Sequence, residues 1–197
     1  MRYDAEHKQR TRERVLNEAV KTIRAEGPDK LGVAAVMAEV GLTHGGFYAH
    51  FRSRDDLMAA AIGQMFGNVG GLFEKRTEGL EPKQALLAYI GFYLSRTHRD
   101  ARDSGCPLPV LTSDLPRMDD AAREQFSAGV ARLQSNLQGL LEKLDRPDAE
   151  ALAGSALAEM IGALALSRAV ADRAQSDALL TRSRDAIFHR LGLEDDQ

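Results

Sequence analysis

The chain has 197 residues, 44% hydrophobic and 28% charged, with a formal net charge of −3 at pH 7. This is a globular composition long enough for one large domain or two small ones, and it is not that of a wholly basic nucleic-acid binder. A single cysteine excludes an internal disulfide framework and a cysteine-based metal cluster, and the five histidines are scattered without metal-ligand spacing. Residues 1–60 hold 10 Lys/Arg against 9 Asp/Glu and the remainder holds 16 against 20, so the two parts differ modestly in sign.

Met1–Glu6 reads as a loose arm, and the polar, charged start leaves no signal peptide to be read, so a reducing cytoplasm is expected. A helix follows from about His7 to Glu26, with Val15, Leu16, Ala19, Val20 and Ile23 on one face and Gly27-Pro28 as its stop. Lys8, Arg10, Arg12 and Arg14 cluster at its start, either as a solvated face or as a phosphate-facing one. Next come Val33, Val36, Met37 and Val40 at helical spacing, then Gly41 as a helix stop and Thr43 as an N-cap. In the short helix after Thr43, Phe47 and Phe51 share one face and His44 and Tyr48 another. Gly45 lies outward, where a missing side chain lets the backbone approach another surface, and Gly46 faces the preceding helix. Ser53-Arg54-Asp55-Asp56 has the form of a capping box that opens a further helix. Two helices around a tight glycine turn make a helix-turn-helix.

The stretch LTHGGFYAHFRSRDDL closely resembles the recognition-helix signature of TetR-family transcriptional regulators. Three positions depart from it: Gly32 stands where a Ser/Thr cap is usual, Gly46 replaces a common Ala, and His44 occupies a place where Lys is frequent. The resemblance implies that Thr43, His44 and Gly45 reach base edges, and that Tyr48, His50 and Arg54 sit on phosphates. Arg10 and Arg12 can flank them by their position on the first helix. Phe47 and Phe51 belong to the core. The partners implied are double-stranded DNA with a palindromic operator, a small-molecule inducer and a second copy of the chain, with no membrane. The expected division is a DNA-binding domain over 1–52 and a ligand-binding and dimerisation domain over 53–197.

The helix begun at Ser53 runs to about Lys75–Gly79, with a bend or a break expected near Gly70-Gly71. Pro82 opens another to about His98, and Ala101–Arg117 reads as loops around a short broken helix at Leu108–Leu115. Long helices follow over about 119–144 and 148–174, then one over 176–190 and a polar tail at 193–197. No alternating β pattern occurs, so the chain is all-α: a three-helix helix-turn-helix domain and a larger C-terminal helical domain. The apolar run Ala151–Ala171 holds Glu159 and Arg168 and reads as a buried helix rather than a membrane span.

In the C-terminal part, Met65, Phe66, Phe73, Tyr89, Phe92, Tyr93, Phe126, Met160 and Leu164 are candidate ligand-lining residues; plain core is the other reading. Gly154, Ala158 and Gly162 form a small-residue ridge that, with Leu179, Leu180 and Ile187, is the candidate dimer face. Cys106, before a possible helix start and near Arg99, Arg102 and Arg117, is either a redox-sensing thiol or a small buried hydrophobe. No nucleophile elbow, phosphate loop or dinucleotide motif is present, so neither catalytic residues nor a metal or cofactor is expected. The reading is a DNA-binding regulator, most simply a repressor released by a ligand or by modification of Cys106. A helical binding module without sequence-specific DNA binding is the alternative.

Overall fold

The computed structural model describes residues 2–194, with side chains from residue 6 onward. Among the described residues there are nine α-helices, three short 3-10 helices and no strand. The helices are α1 (Arg2–Glu26), α2 (Val33–Glu39), α3 (Arg54–Thr77), α4 (Pro82–Tyr93), α5 (Arg96–Asp100), α6 (Leu108–Leu111), α7 (Asp120–Glu142), α8 (Ala149–Ala169) and α9 (Arg173–Leu191). The all-α expectation holds. The expected arm is helical from Arg2, with Met1 outside the described residues, and of the expected tail only 195–197 lie outside them. Leu193 is buried rather than solvated.

Two compact units divide the chain, one of residues 1–67 and 106–128, the other of 68–105 and 129–197. The first contains the helix-turn-helix. Val15, Ala19 and Ile23 of α1 are fully covered, as the 3.6-residue period requires. Val36 and Met37 of α2, Phe47 and Phe51, and Leu57, Ile62 and Met65 of α3 complete its core. Each of these side chains except that of Ala19 contributes roughly 1.5–3 kcal/mol on burial.

α2 ends in a Schellman motif. Leu42 N–H donates to the Met37 carbonyl and Gly41 N–H to the Ala38 carbonyl, each at 2.9 Å. The motif needs a left-handed residue after the cap, and Gly41 supplies it with φ 72°. Two of the caps expected in this region differ from their sequence form. Thr43 has the extended backbone of an N-cap, but its side chain makes no capping bond. Ser53 Oγ accepts from Asp56 N–H at 3.0 Å, as a capping box requires, yet Asp56 turns back to Arg52 N–H at 2.9 Å instead of to Ser53.

α3 is continuous through Gly70-Gly71, so the helix does not break there. A glycine costs about 1 kcal/mol in a helix, less than the buried Phe66, Val69 and Phe73 contribute by keeping their register. α4 stops at Tyr93, earlier than expected, because Ser95 Oγ accepts from His98 N–H at 3.1 Å and starts α5.

In the second unit α8 packs along α9. α8 is long and apolar enough to cross a membrane by length and composition, but it buries Leu152, Leu157, Met160 and Leu164 inside the unit. It ends at Ala169 rather than near 174, since Asp172 caps a new helix by accepting from Gln175 N–H at 2.7 Å.

Candidate nucleic-acid interface

The second element of the helix-turn-helix is a six-residue 3-10 helix, His44–Ala49, rather than an α-helix. Its two glycines weaken α-helical propagation, and a 3-10 turn suits a segment this short. Phe47 is the anchor. It is buried, stacks on Phe51 with centroids 5.6 Å apart, and its carbonyl accepts from His50 and Phe51 N–H groups at 2.9 and 3.1 Å. With the inner face fixed, the outer face is set. Tyr48 is 65% exposed, an unusual place for a large aromatic side chain in this fold. His44 lies edge-on to it at 6.1 Å, as the four-residue spacing predicts. Thr43, His44 and Gly45 are exposed, and a side chain at Gly45 would meet nothing within 4 Å. Gly46 faces α2 as expected, but a methyl there would sit 3.7 Å from Met37 Cε, an ordinary contact, so close packing does not demand the glycine.

Arginines hold this element in place, and the sequence reading missed most of that. Arg14 Nη2 donates to the Val40 carbonyl at 2.6 Å, satisfying the C-terminal end of α2. Arg12 lies 4.1 Å over the Phe51 ring and reaches the His50 carbonyl at 3.4 Å. Arg54, expected on phosphate, instead donates Nε to the Leu31 carbonyl and Nη2 to the Pro28 carbonyl, both at 2.8 Å, with Asp55 3.8 Å from Nη1. Its fork is committed to tying the start of α3 to the 28–31 turn. Arg10 remains exposed beside Glu6 at 3.8 Å. Arg52, unnoticed in the sequence, has a side chain 91% exposed and paired with Asp56 at 3.1 Å.

His50 is half-buried, and its Nδ1 has no hydrogen-bond partner among the described residues. Burial lowers its pKa, and the positive charges of Lys8, Arg12 and His7 lower it further. The ring is therefore neutral at pH 7, and any donation to a phosphate comes from one N–H rather than from an imidazolium.

The other candidate residues are placed as follows. Met65, Phe66 and Phe126 lie in the first unit, with Phe66 and Phe126 edge to face at 5.7 Å. Phe73, Tyr89, Phe92, Tyr93, Met160 and Leu164 lie in the second. There Phe73 packs on Tyr89 at 4.7 Å and Arg76 covers Phe92 at 4.0 Å. Most of these side chains are buried, with Phe92 and Phe126 partly covered. Of the dimer candidates, Leu180 and Ile187 point inward and are 2% and 0% exposed, so they serve the monomer's own packing. Gly154 faces Gln134, whose Nε2 would lie 3.4 Å from a side chain there. Ala158 is exposed, Gly162 and Leu179 are partly so, and Leu166, not anticipated, is 56% exposed.

Cys106 is 4% exposed. α6 starts two residues later, behind Pro107, and has only four residues, so it offers the thiol little helix-end charge. Arg117 is taken by Asp114. The geometry fits the reading of a small buried hydrophobe.

Residues 15–61 match the family model described as bacterial regulatory proteins, tetR family. No curated protein matches the chain in sequence. Solved structures share its fold over nearly the whole length. A TetR transcriptional regulator from Chloroflexus aurantiacus J-10-FL is 23% identical, with a TM-score of 0.80, covering 95% of this chain and 96% of that one. A TetR-family regulator from Cytophaga hutchinsonii is 24% identical at 0.82, covering 97% and 98%. The reduced form of NemR from E. coli is 18% identical at 0.80, covering 91% and 95%.

Proposed function

We propose that the chain, whose residues 15–61 match the tetR family model and whose fold is shared with solved TetR regulators, is a DNA-binding transcriptional regulator of that family rather than an enzyme, and that it is a dimeric, cytoplasmic repressor that a small molecule releases from a palindromic operator. The observation that carries the reading is the contrast across one short element. Phe47 and Phe51 lock the inner face of the 44–49 segment, while Gly45 and the side chains of Thr43, His44 and Tyr48 stand outward, and those side chains make no hydrogen bond among the described residues. A folded chain that orders polar and aromatic groups without using them holds them for another molecule.

In this reading Thr43, His44 and the bare backbone at Gly45 meet base edges. Tyr48, His50, Arg10 and Arg12 position the segment on phosphates, and Arg54 contributes through the turn it ties down. Residues 1–52 read DNA, and 53–197 bind the inducer and dimerise. The dimer face uses the outer sides of α8 and α9 at Gly154, Ala158, Gly162, Leu166 and Leu179, and an isologous contact there suits a twofold operator. The inducer site draws on the aromatic and methionine side chains named above. Release through Cys106 is the secondary route, because a 4% exposed thiol requires local opening before any reagent reaches it.

Fluorescence anisotropy with DNA from the chain's own upstream region tests the proposal. Specific binding is expected to be at least about 10³-fold tighter than binding to random DNA, with affinity falling steeply as salt rises. Tyr48→Phe and His50→Ala should weaken binding to both DNAs, and Thr43→Ala should change the preference between them. Equal affinity for the two DNAs would favour a helical module that reads no sequence.

A further inference from the structure

The second unit holds a concentration of charge that DNA reading does not use. Where α8 turns into α9, a cleft of about 510 Å³ is walled by Arg99, Arg102, Arg168 and Arg173. Two of these form its floor. The Arg99 side chain is 5% exposed. Its Nε and Nη2 donate to the two Asp100 carboxylate oxygens at 2.9 and 3.2 Å. Its Nη1 donates to Asp177 at 2.6 Å and to Ser176 Oγ at 2.7 Å. Arg168 donates Nε and Nη2 to the carbonyls of Arg99 and His98, each at 3.1 Å. Gly105 is required here, since a side chain would come within 2.9 Å of both Arg168 Nη2 and the Ala101 carbonyl.

The other two form the rim and are exposed. Arg102 commits only Nη2, to the Arg168 carbonyl at 3.2 Å. Arg173 commits only Nη1, to Asp100 at 2.9 Å. The remaining nitrogens of both forks have no partner among the described residues. Four guanidinium groups thus face two carboxylates, Asp100 and Asp177, and Arg96 lies a further 3.5 Å from Asp177. The surplus is positive in a chain whose net charge is −3.

Gathering like charges around a recess is unfavourable without an anion to face them. The cluster already holds one carboxylate in bidentate geometry, that of Asp100 on Arg99. Guanidinium forks match carboxylate and phosphate oxygens in that way. The volume is that of a site for a small organic molecule, which is usually a few hundred Å³ or more.

We propose that this cleft binds a small organic oxyanion, a compound bearing a phosphate or several carboxylates, captured between the open guanidinium donors of Arg102 and Arg173. The site is separate from the aromatic stripe and does not depend on operator binding.

Isothermal titration of the full chain without DNA tests it, with pyrophosphate and citrate as probes at an ionic strength held constant with sodium chloride. At least one probe should bind saturably, and the responding probe tells phosphate from carboxylate chemistry. Arg102→Gln with Arg173→Gln should weaken that binding tenfold or more, while Arg132→Gln, exposed elsewhere, should leave it unchanged. Circular dichroism checks the fold. If the double variant misfolds, Arg102→Gln alone carries the test, because that side chain makes a single hydrogen bond. No saturable binding of either probe, or equal affinity in the wild type and the folded variants, would overturn the proposal.

Discussion

Arg12 and Arg14 of the first unit and Arg99 of the second are partnered in opposite ways, although Arg102 and Arg168 of the second unit also end on carbonyls. In the first, Arg12 and Arg14 end on backbone carbonyls, those of His50 and Val40. In the second, Arg99 ends on the carboxylates of Asp100 and Asp177. A carbonyl satisfies guanidinium hydrogen bonds without cancelling the charge; a carboxylate does both. Positive charge is therefore not cancelled beside the 44–49 segment although residues 1–60 are nearly balanced, and after burial, the larger cause, Lys8, Arg12 and His7 lower the pKa of His50. In the second unit the pairing is strong enough to hold Asp100 at about 2, through its bonds from Arg99 and Arg173. Neutral partners leave an arginine's charge uncancelled, and acidic partners offset it.

The largest effect is expected at the anchor of the first region. Phe47→Ala removes a 1% exposed ring stacked on Phe51 and should cost about 3–5 kcal/mol, read as a lowered urea midpoint. An unchanged midpoint would mean that the segment is held by its arginines alone.

In the second region the corresponding probe is His98. It is buried, its Nδ1 donates to the Tyr93 carbonyl at 2.8 Å, and burial pushes its pKa down to about 4 from 6.5. The unfolded chain binds this proton first. Stability is therefore full above pH 6.5, falls as the pH drops toward 4, and loses on the order of 3 kcal/mol across that window from this group. His98→Leu should flatten the slope in urea melts taken at a series of pH values; an unaltered slope would assign the acid sensitivity to another group.

The smallest effect sharpens the role of Arg54. Arg54→Gln breaks its two bonds to the 28–31 turn and should lower stability by about 1–2 kcal/mol, seen as a reduced thermal midpoint. Weakened DNA binding with an unchanged midpoint would return Arg54 to the phosphates.

Much of this was legible in the residues. The α1 stripe, the Gly41 stop, the Phe47–Phe51 pair and the outward Tyr48 follow from periodicity and glycine chemistry, which act within a few residues. The early end of α4 was also local, signalled by Ser95 three residues before His98, but the apolar run around it masked the cap. The helix break weighed at Gly70-Gly71 is absent because buried neighbours outweigh local propensity. The expected phosphate role of Arg54 and the dimer role of Leu180 and Ile187 came from motif position and helix spacing. Neither records which carbonyl or which neighbouring helix a side chain meets.

By itself the sequence determined the helical class, the helix-turn-helix and the identity of the groups its 44–49 segment turns outward, because spacing along a helix sets the facing of side chains. Only the tertiary structure decided that this segment winds as a 3-10 turn, that Arg12, Arg14 and Arg54 close helix ends, and that four arginines from 99 to 173 meet at one cleft. Those outcomes depend on groups tens of residues apart, and a long, flexible guanidinium takes its partner from whatever the fold brings within reach.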